Sequence, residues 1–379
     1  MTGHGTVADR RKPMPARTPG IRSESAARRS RPPPAPDPDP PVPTIRRRTT
    51  VRTGWAHKGV IESAVPATGG PVRGRMHGDG ENIDDEATMT TALAQRIQAH
   101  FGEQGMRRFT AEETAGVRVP DAAVARVIEL GMPVRVGPYF TAAEPGEPAA
   151  LGAYASSIGF DAAETEPGEQ AAGWLRLGTD EGAEICVDGA GAVQAVFVQA
   201  DAPSMHVNSG VEAFAASLLT LDEYLPALAS PGRRGPAEVF REMRGRLLEI
   251  DAAAHEDDEA WWPRVLEQIR HALSFPFSAA FEVVEPGGRR YIETERAQVG
   301  LPHPEQVLWA KLEARGVRPE QISRIYTELE PCFLPGNYCA MWLTMFPNAE
   351  ISYGHPYGAT MREREEGFLQ LMREAAGQG

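Results

Sequence analysis

The spacing of apolar residues changes character along the chain and marks its elements. Over residues 90–104, Leu93, Ile97 and Phe101 fall four apart, the repeat of one helix face, and residues 121–130 form a second helical segment behind Pro120. From residue 139 the period shortens to two. Segments 139–141, 174–178, 184–188 and 193–199 read as strands, and Gly189-Ala190-Gly191 turns the last two into a hairpin. Helical spacing returns over 211–225, where Phe214, Leu218, Leu219 and Leu221 share a face and Asn208 or Ser209 is the expected N-cap. Two more helices follow over 237–254 and 258–273. Helices around an antiparallel sheet predict an α+β domain of residues 89–227, with 228–275 as a helical bridge.

A different order begins at residue 276. Strands over 279–284 and 290–295 flank Glu285-Pro286-Gly287-Gly288, a hairpin turn and not a phosphate loop. An apolar helical run through Val307, Leu308, Ala310 and Leu312 stops at Gly316. A strand over 323–329 then runs into Pro331-Cys332. A helix from Tyr338 to Phe346, a short strand over 350–353 and a helix over 361–375 complete the pattern. The order β-β-α-β-α-β-α predicts an α/β domain of three layers over residues 276–379.

Residues 1–88 have no such periodicity. Segment 31–43 (RPPPAPDPDPPVP) is dense in proline and Arg46-Arg47-Arg48 follows, which predicts a disordered, basic Pro/Arg-rich tail. Residues 1–75 hold 15 Lys/Arg against 5 Asp/Glu, a net of +10, whereas the whole chain is −13, so the remainder carries −23. Two readings of the tail stay open: a strip that touches nucleic acid or an anionic surface, or an upstream extension with translation starting at Met76 or Met89. The acidic remainder speaks against a groove for long nucleic acid and leaves free nucleotides and nucleosides as ligands. Three cysteines argue against a disulfide framework. With no apolar signal core and no apolar run of membrane length, they predict a cytoplasmic protein.

The candidate chemistry sits near the C-terminus. His303-Pro304-Glu305 opens a helix, Pro331-Cys332 ends a strand, and Cys339 follows. One imidazole and two thiolates suit zinc and leave its fourth position to water, while a nearby carboxylate moves protons. The expected metal ligands are therefore His303, Cys332 and Cys339, with Glu305 as the general acid/base and His355 as a pocket residue. Six residues separate the cysteines, and Pro335-Gly336-Asn337 reads as a tight turn that returns Cys339 to the metal. The bland alternative makes both cysteines buried hydrophobes and His303 a plain helix start. Cys186 reads as a buried hydrophobe, Trp261-Trp262 as packing between domains, 255–259 as a solvated helix start, and His100, His255 and His271 as unremarkable helix residues.

Residues 276–377, through His303-Pro304-Glu305 and Leu329-Glu330-Pro331-Cys332, resemble the bacterial toxin-type nucleic-acid/nucleotide deaminases of the cytidine-deaminase-like superfamily. That resemblance implies zinc-dependent hydrolytic deamination of cytosine or adenine. The Cys-x6-Cys spacing departs from the Cys-x-x-Cys of that group. Residues 89–227 resemble the SUKH superfamily of immunity proteins, in a subgroup found mostly in actinobacteria. Gly131-Met132-Pro133, Leu175-Arg176-Leu177-Gly178, Glu184-Ile185-Cys186-Val187-Asp188 and Val207-Asn208-Ser209 carry it. SUKH domains have no catalytic site and neutralise toxin proteins, so this second resemblance implies a toxin partner. Two functions remain open: a zinc deaminase fused to a toxin-binding domain, or a non-enzymatic binding protein whose deaminase-like half has decayed. No membrane partner is expected.

Overall fold

The computed structural model describes residues 79–160, 168–230 and 232–377. Its elements in chain order are α1 (Asp79–Phe101), β1 (Met106–Arg107), α2 (Asp121–Leu130), β2 (Met132–Pro133), β3 (Arg135–Val136), β4 (Phe140–Ala142) and α3 (Leu151–Ser157). Next come β5 (Leu175–Thr179), β6 (Glu184–Val187), β7 (Val193–Val196), β8 (Met205–Asn208), α4 (Val211–Ala229), α5 (Pro236–Ile250) and α6 (Trp261–Ser274). The last part holds β9 (Ser278–Val284), β10 (Arg290–Arg296), α7 (Pro304–Glu313), β11 (Ile322–Leu329), α8 (Cys339–Trp342), β12 (Glu350–His355) and α9 (Met361–Gly377).

The first half is a six-stranded sheet in the order β3-β4-β5-β6-β7-β8, antiparallel throughout. Leu175, Ile185, Val193 and Val207 from its strands share one core with Phe214 and Leu218 of α4. Helices α5 and α6 add Val239, Leu247, Trp261 and Trp262 to that same core. Both tryptophans are fully buried, which stabilises by about 4–6 kcal/mol each at ~25 cal/mol per Å² over 150–250 Å².

The second half is a four-stranded sheet in the order β10-β9-β11-β12. Only its β11–β12 pair is parallel; β9 pairs antiparallel with both β10 and β11. Alternate residues of β9 (Ala279, Phe281, Val283) are buried, as a sheet with one packed face requires. Phe281 and Val283 pack with Leu308 and Leu312 of α7, while Leu329 packs with Phe368 and Leu371 of α9. Thus the described chain is mixed helix and sheet in both halves.

Several local expectations change. Helix α1 starts at Asp79, so residues 79–88, expected in the tail, are helical; no proline stands between Pro71 and Pro120 to interrupt them. Residues 1–78 of that expected tail lie outside the described residues. Strand β8 and helix α3 were not anticipated, and α8 is a single turn followed by a 3-10 turn over Leu343–Met345. Neither Asn208 nor Ser209 caps α4, whose N-cap is Gly210 without a side-chain bond. Asp251 takes both side chains instead, accepting Asn208 Nδ2 at 3.0 Å, Ser209 N at 2.7 Å and Ser209 Oγ at 2.9 Å. Charge-assisted bonds of that kind outweigh a neutral cap. Segment 255–259 is likewise more than solvated, because Glu259 binds Arg364 and Arg264, each at 3.0 Å.

Candidate metal centre

Each of the three expected ligands arrives on a different kind of element. His303 is the N-cap of α7, in extended conformation, and Pro304 at the first helical position holds the backbone for the turn that follows. Glu305 therefore falls in the first turn, where an acidic side chain suits the helix dipole. Strand β11 ends at Leu329 and delivers Cys332 three residues later; Pro331, which has no N–H, cannot extend the ladder. Cys339 is the first residue of α8.

The three meet. His303 Nδ1 lies 3.4 Å from Cys332 Sγ and 3.5 Å from Cys339 Sγ, and all three ligand atoms lie within 4.8 Å of one another. A tetrahedral ion with bonds of about 2.05 Å to nitrogen and 2.3 Å to sulfur sets N···S edges of about 3.6 Å. The observed separations match that edge. Among the described residues this is the group of three or more His, Cys, Asp and Glu side chains able to hold a metal.

The six-residue spacer is closed by backbone bonds. Gly336 turns at φ +77, Tyr338 N–H donates to Leu334 O at 3.0 Å, and Ala340 N–H donates to Cys332 O at 3.0 Å. That last bond draws the two thiols together across the loop. Asn337 Oδ1 accepts the His303 backbone N–H at 2.7 Å, while Asn337 Nδ2 donates to Gln268 Oε1 at 2.6 Å. Gln306 Nε2 bonds the Asn337 carbonyl. The expected tight turn is present, and its Asn also anchors the backbone of His303.

The site's electrostatics follow from burial and proximity. Burial is the largest influence on the Cys332 thiol and pushes it up, but the Cys339 thiol and the His303 ring together hold it well below its ordinary value. Burial and the neighbouring Cys332 sulfur push Cys339 well above. The His303 imidazole, lowered by burial, is carried above its usual value by Cys332 and Glu305. Glu305 is 4% exposed, and burial raises its carboxyl. Its Oε2 is buried with no hydrogen-bond partner among the described residues, an acceptor aimed at nothing the protein supplies. One low thiol, one imidazole and an unsatisfied acid together fit a dication and a water-derived nucleophile.

His355, expected as a pocket residue, ends β12 in register with Leu329 of β11. Its Nε2 lies 3.5 Å from Glu374 on α9, and its Nδ1 is buried without a partner among the described residues. It is not part of the three-ligand group. Sequence reasoning missed His271, which is fully buried on α6. Tyr357 OH lies 2.6 Å from its Nδ1, while Glu365 Oε2 and the Arg270 guanidinium nitrogen Nη2 each lie 3.1 Å from its Nε2. Burial pushes its imidazole down to about 4. It also missed Asn337 and Gln268; the only sequence signal for either was the Pro-Gly-Asn turn.

Comparison with known families gives two matches. The family model described as SUKH-4 immunity protein matches residues 92–268, and the one described as Xanthomonas-like deaminase matches residues 276–374. Neither the curated proteins nor the solved structures contain a match.

Proposed function

Starting from a chain that is a SUKH-4 immunity domain followed by a deaminase-family domain, we propose that it is a zinc-dependent hydrolytic base deaminase carrying its own toxin-binding module. The carrying observation is the His303–Cys332–Cys339 group, whose N···S distances of 3.4 and 3.5 Å suit a tetrahedral zinc ion. His303 Nδ1 and the two sulfurs would hold the ion, which when bound supplies a polarised water of lowered pKa. Glu305 does the proton work. Its unpartnered Oε2 accepts a proton from the attacking water and delivers it to the departing amino nitrogen, so that water adds at C4 of cytosine or C6 of adenine and ammonia leaves. His355 contacts the substrate through its unpartnered Nδ1.

Nucleotides, nucleosides or short single strands are the substrates, since the −23 charge beyond residue 75 repels long polyanions. The same acidity favours a basic toxin as partner of the SUKH-type half. The cytoplasm is its compartment, because Cys332 and Cys339 must stay reduced to bind metal, and the described cysteines are all free. No helix of the described residues is long and apolar enough to cross a membrane.

Metal analysis and an ammonia-release assay test this reading. Wild type should carry one zinc, Cys332→Ala should lose metal and activity, and Glu305→Ala should keep the metal and lose activity. Wild type purified without stoichiometric zinc would overturn it in favour of a non-enzymatic immunity protein with a decayed second half.

A further inference from the structure

Tyr338, the residue just before Cys339, is held in the left-handed region at φ 39, ψ 45. For a bulky non-glycine residue that conformation costs roughly 1–2 kcal/mol and persists only where its surroundings enforce it. Apart from Phe333 of its own loop, the enforcing groups belong to the other half of the protein. Tyr338 OH donates to Asp180 Oδ2 at 2.7 Å, in the turn between β5 and β6, 158 residues away. Its ring meets Phe197 edge-on at 5.4 Å and Phe333 at 5.2 Å. It lies so close over Gly182 that a Cβ there would stand 2.1 Å from the ring.

Asp180 is built for this contact. It is fully buried, and its two oxygens take four donors: Ala183 N at 2.7 Å and Gly182 N at 3.3 Å on Oδ1, Trp261 Nε1 at 2.8 Å and Tyr338 OH on Oδ2. That fills the acceptor capacity of a carboxylate. The rest of the spacer is tied to the first half as well. Arg264 donates to Phe333 O at 3.4 Å and Gln268 to Pro335 O at 3.0 Å. Gly336, where a Cβ would stand 2.7 Å from Pro138 O, packs backbone against backbone. A Cys-x-x-Cys turn would leave two residues between the thiols where this spacer has six. Phe333, Pro335, Gly336 and Tyr338 of the longer spacer make these contacts.

We propose that Asp180 of the SUKH-type half is a positioning residue for the metal centre of the deaminase half: it anchors Tyr338 and thereby sets Cys339 against His303. The surface formed by the β5–β6 turn, Phe197 and α6 thus has the chain's own cysteine loop as its partner. This inference rests on the metal-centre reading, but its test contains a readout that does not.

Full-length wild type, Tyr338→Phe, Asp180→Asn and Trp261→Phe are stripped of metal, and alkylation of each cysteine in the folded protein is followed by mass spectrometry. Tyr338→Phe deletes only the hydroxyl, so the fold is retained even if Asp180→Asn, which turns a donor toward donors, is unstable. Trp261→Phe removes another donor to the same oxygen without touching the loop and reports simple destabilisation. Cys339 labelling should rise about tenfold or more in Tyr338→Phe and Asp180→Asn, with Cys186 in the first-half core unchanged. In the same two variants, cobalt(II) affinity should fall about 10–100-fold and the thiolate–cobalt absorption should shift, as for loss of an outer-shell partner. Labelling that stays within about twofold of wild type, or that rises only in step with Cys186, overturns the anchor. A wild type that takes up no cobalt, while Cys339 labelling still responds, sustains the anchor and sinks the metal reading.

Discussion

The Asn337 side chain accepts the backbone N–H of His303 at 2.7 Å, so a residue from the spacer between the two thiols anchors the backbone of the residue whose imidazole faces them. Loop and candidate ligand are one assembly. Asn337 is 2% exposed and also donates to Gln268, so its removal leaves two buried groups unpaired. Asn337→Ala should destabilise by about 1–3 kcal/mol. It should also weaken zinc binding by about 10–100-fold, as outer-shell losses do. Competition with a chromophoric chelator reads the affinity, and denaturant unfolding reads the stability.

Metal removal should lower the melting temperature of wild type and leave Cys332→Ala unmoved. At free zinc 1,000 times its dissociation constant the linkage is roughly 4 kcal/mol. Calorimetry with and without a chelator checks it. Equal chelator sensitivity in the two proteins would show that the effect lies elsewhere.

His271 predicts a pH dependence. In the folded protein burial pushes its imidazole down to about 4, against an ordinary value of 6.5. Above pH 6.5 the ring is neutral in both states and its contribution is fully present. Between 6.5 and 4 the unfolded chain takes up a proton that the folded one refuses, so stability falls as pH falls. The loss amounts to about 3 kcal/mol by pH 4. Unfolding free energies of wild type and His271→Gln, measured from pH 7.5 to 4, should converge by about that amount.

The Arg364–Glu267 pair joins α9 to α6. Arg364 Nε donates to Glu267 Oε2 at 2.9 Å, with side chains 2% and 1% exposed. Removing one partner strands a buried charge, so Arg364→Ala should cost about 3–5 kcal/mol, whereas replacing both residues by apolar ones of similar volume should cost much less. A double-mutant cycle by urea unfolding measures the difference.

The residue types pointed to the candidate site and to much of the architecture. The candidate group of His303, Cys332 and Cys339 was legible as a group because few side chain types can hold a metal, and because they stood at helix starts and a strand end. The antiparallel strands from Leu175 to Val196 were legible because a period of two and glycine turns leave little else for a backbone to do. Tertiary structure decided what depends on partners far along the chain. Whether a six-residue spacer would close was settled by Asp180, Gln268 and the left-handed turn of Tyr338, none of which is implied by local spacing. Asn208 and Ser209 read as helix caps and bind Asp251 instead, because a carboxylate 43 and 42 residues later offers the stronger acceptor. His271 reads as an ordinary helix residue, and only the arrival of Tyr357 and Glu365 makes it a buried junction. Local pattern determines which side chains are present and which way each element runs; contact across sequence distance determines which polar groups find partners, and that selects a site from a list of residues.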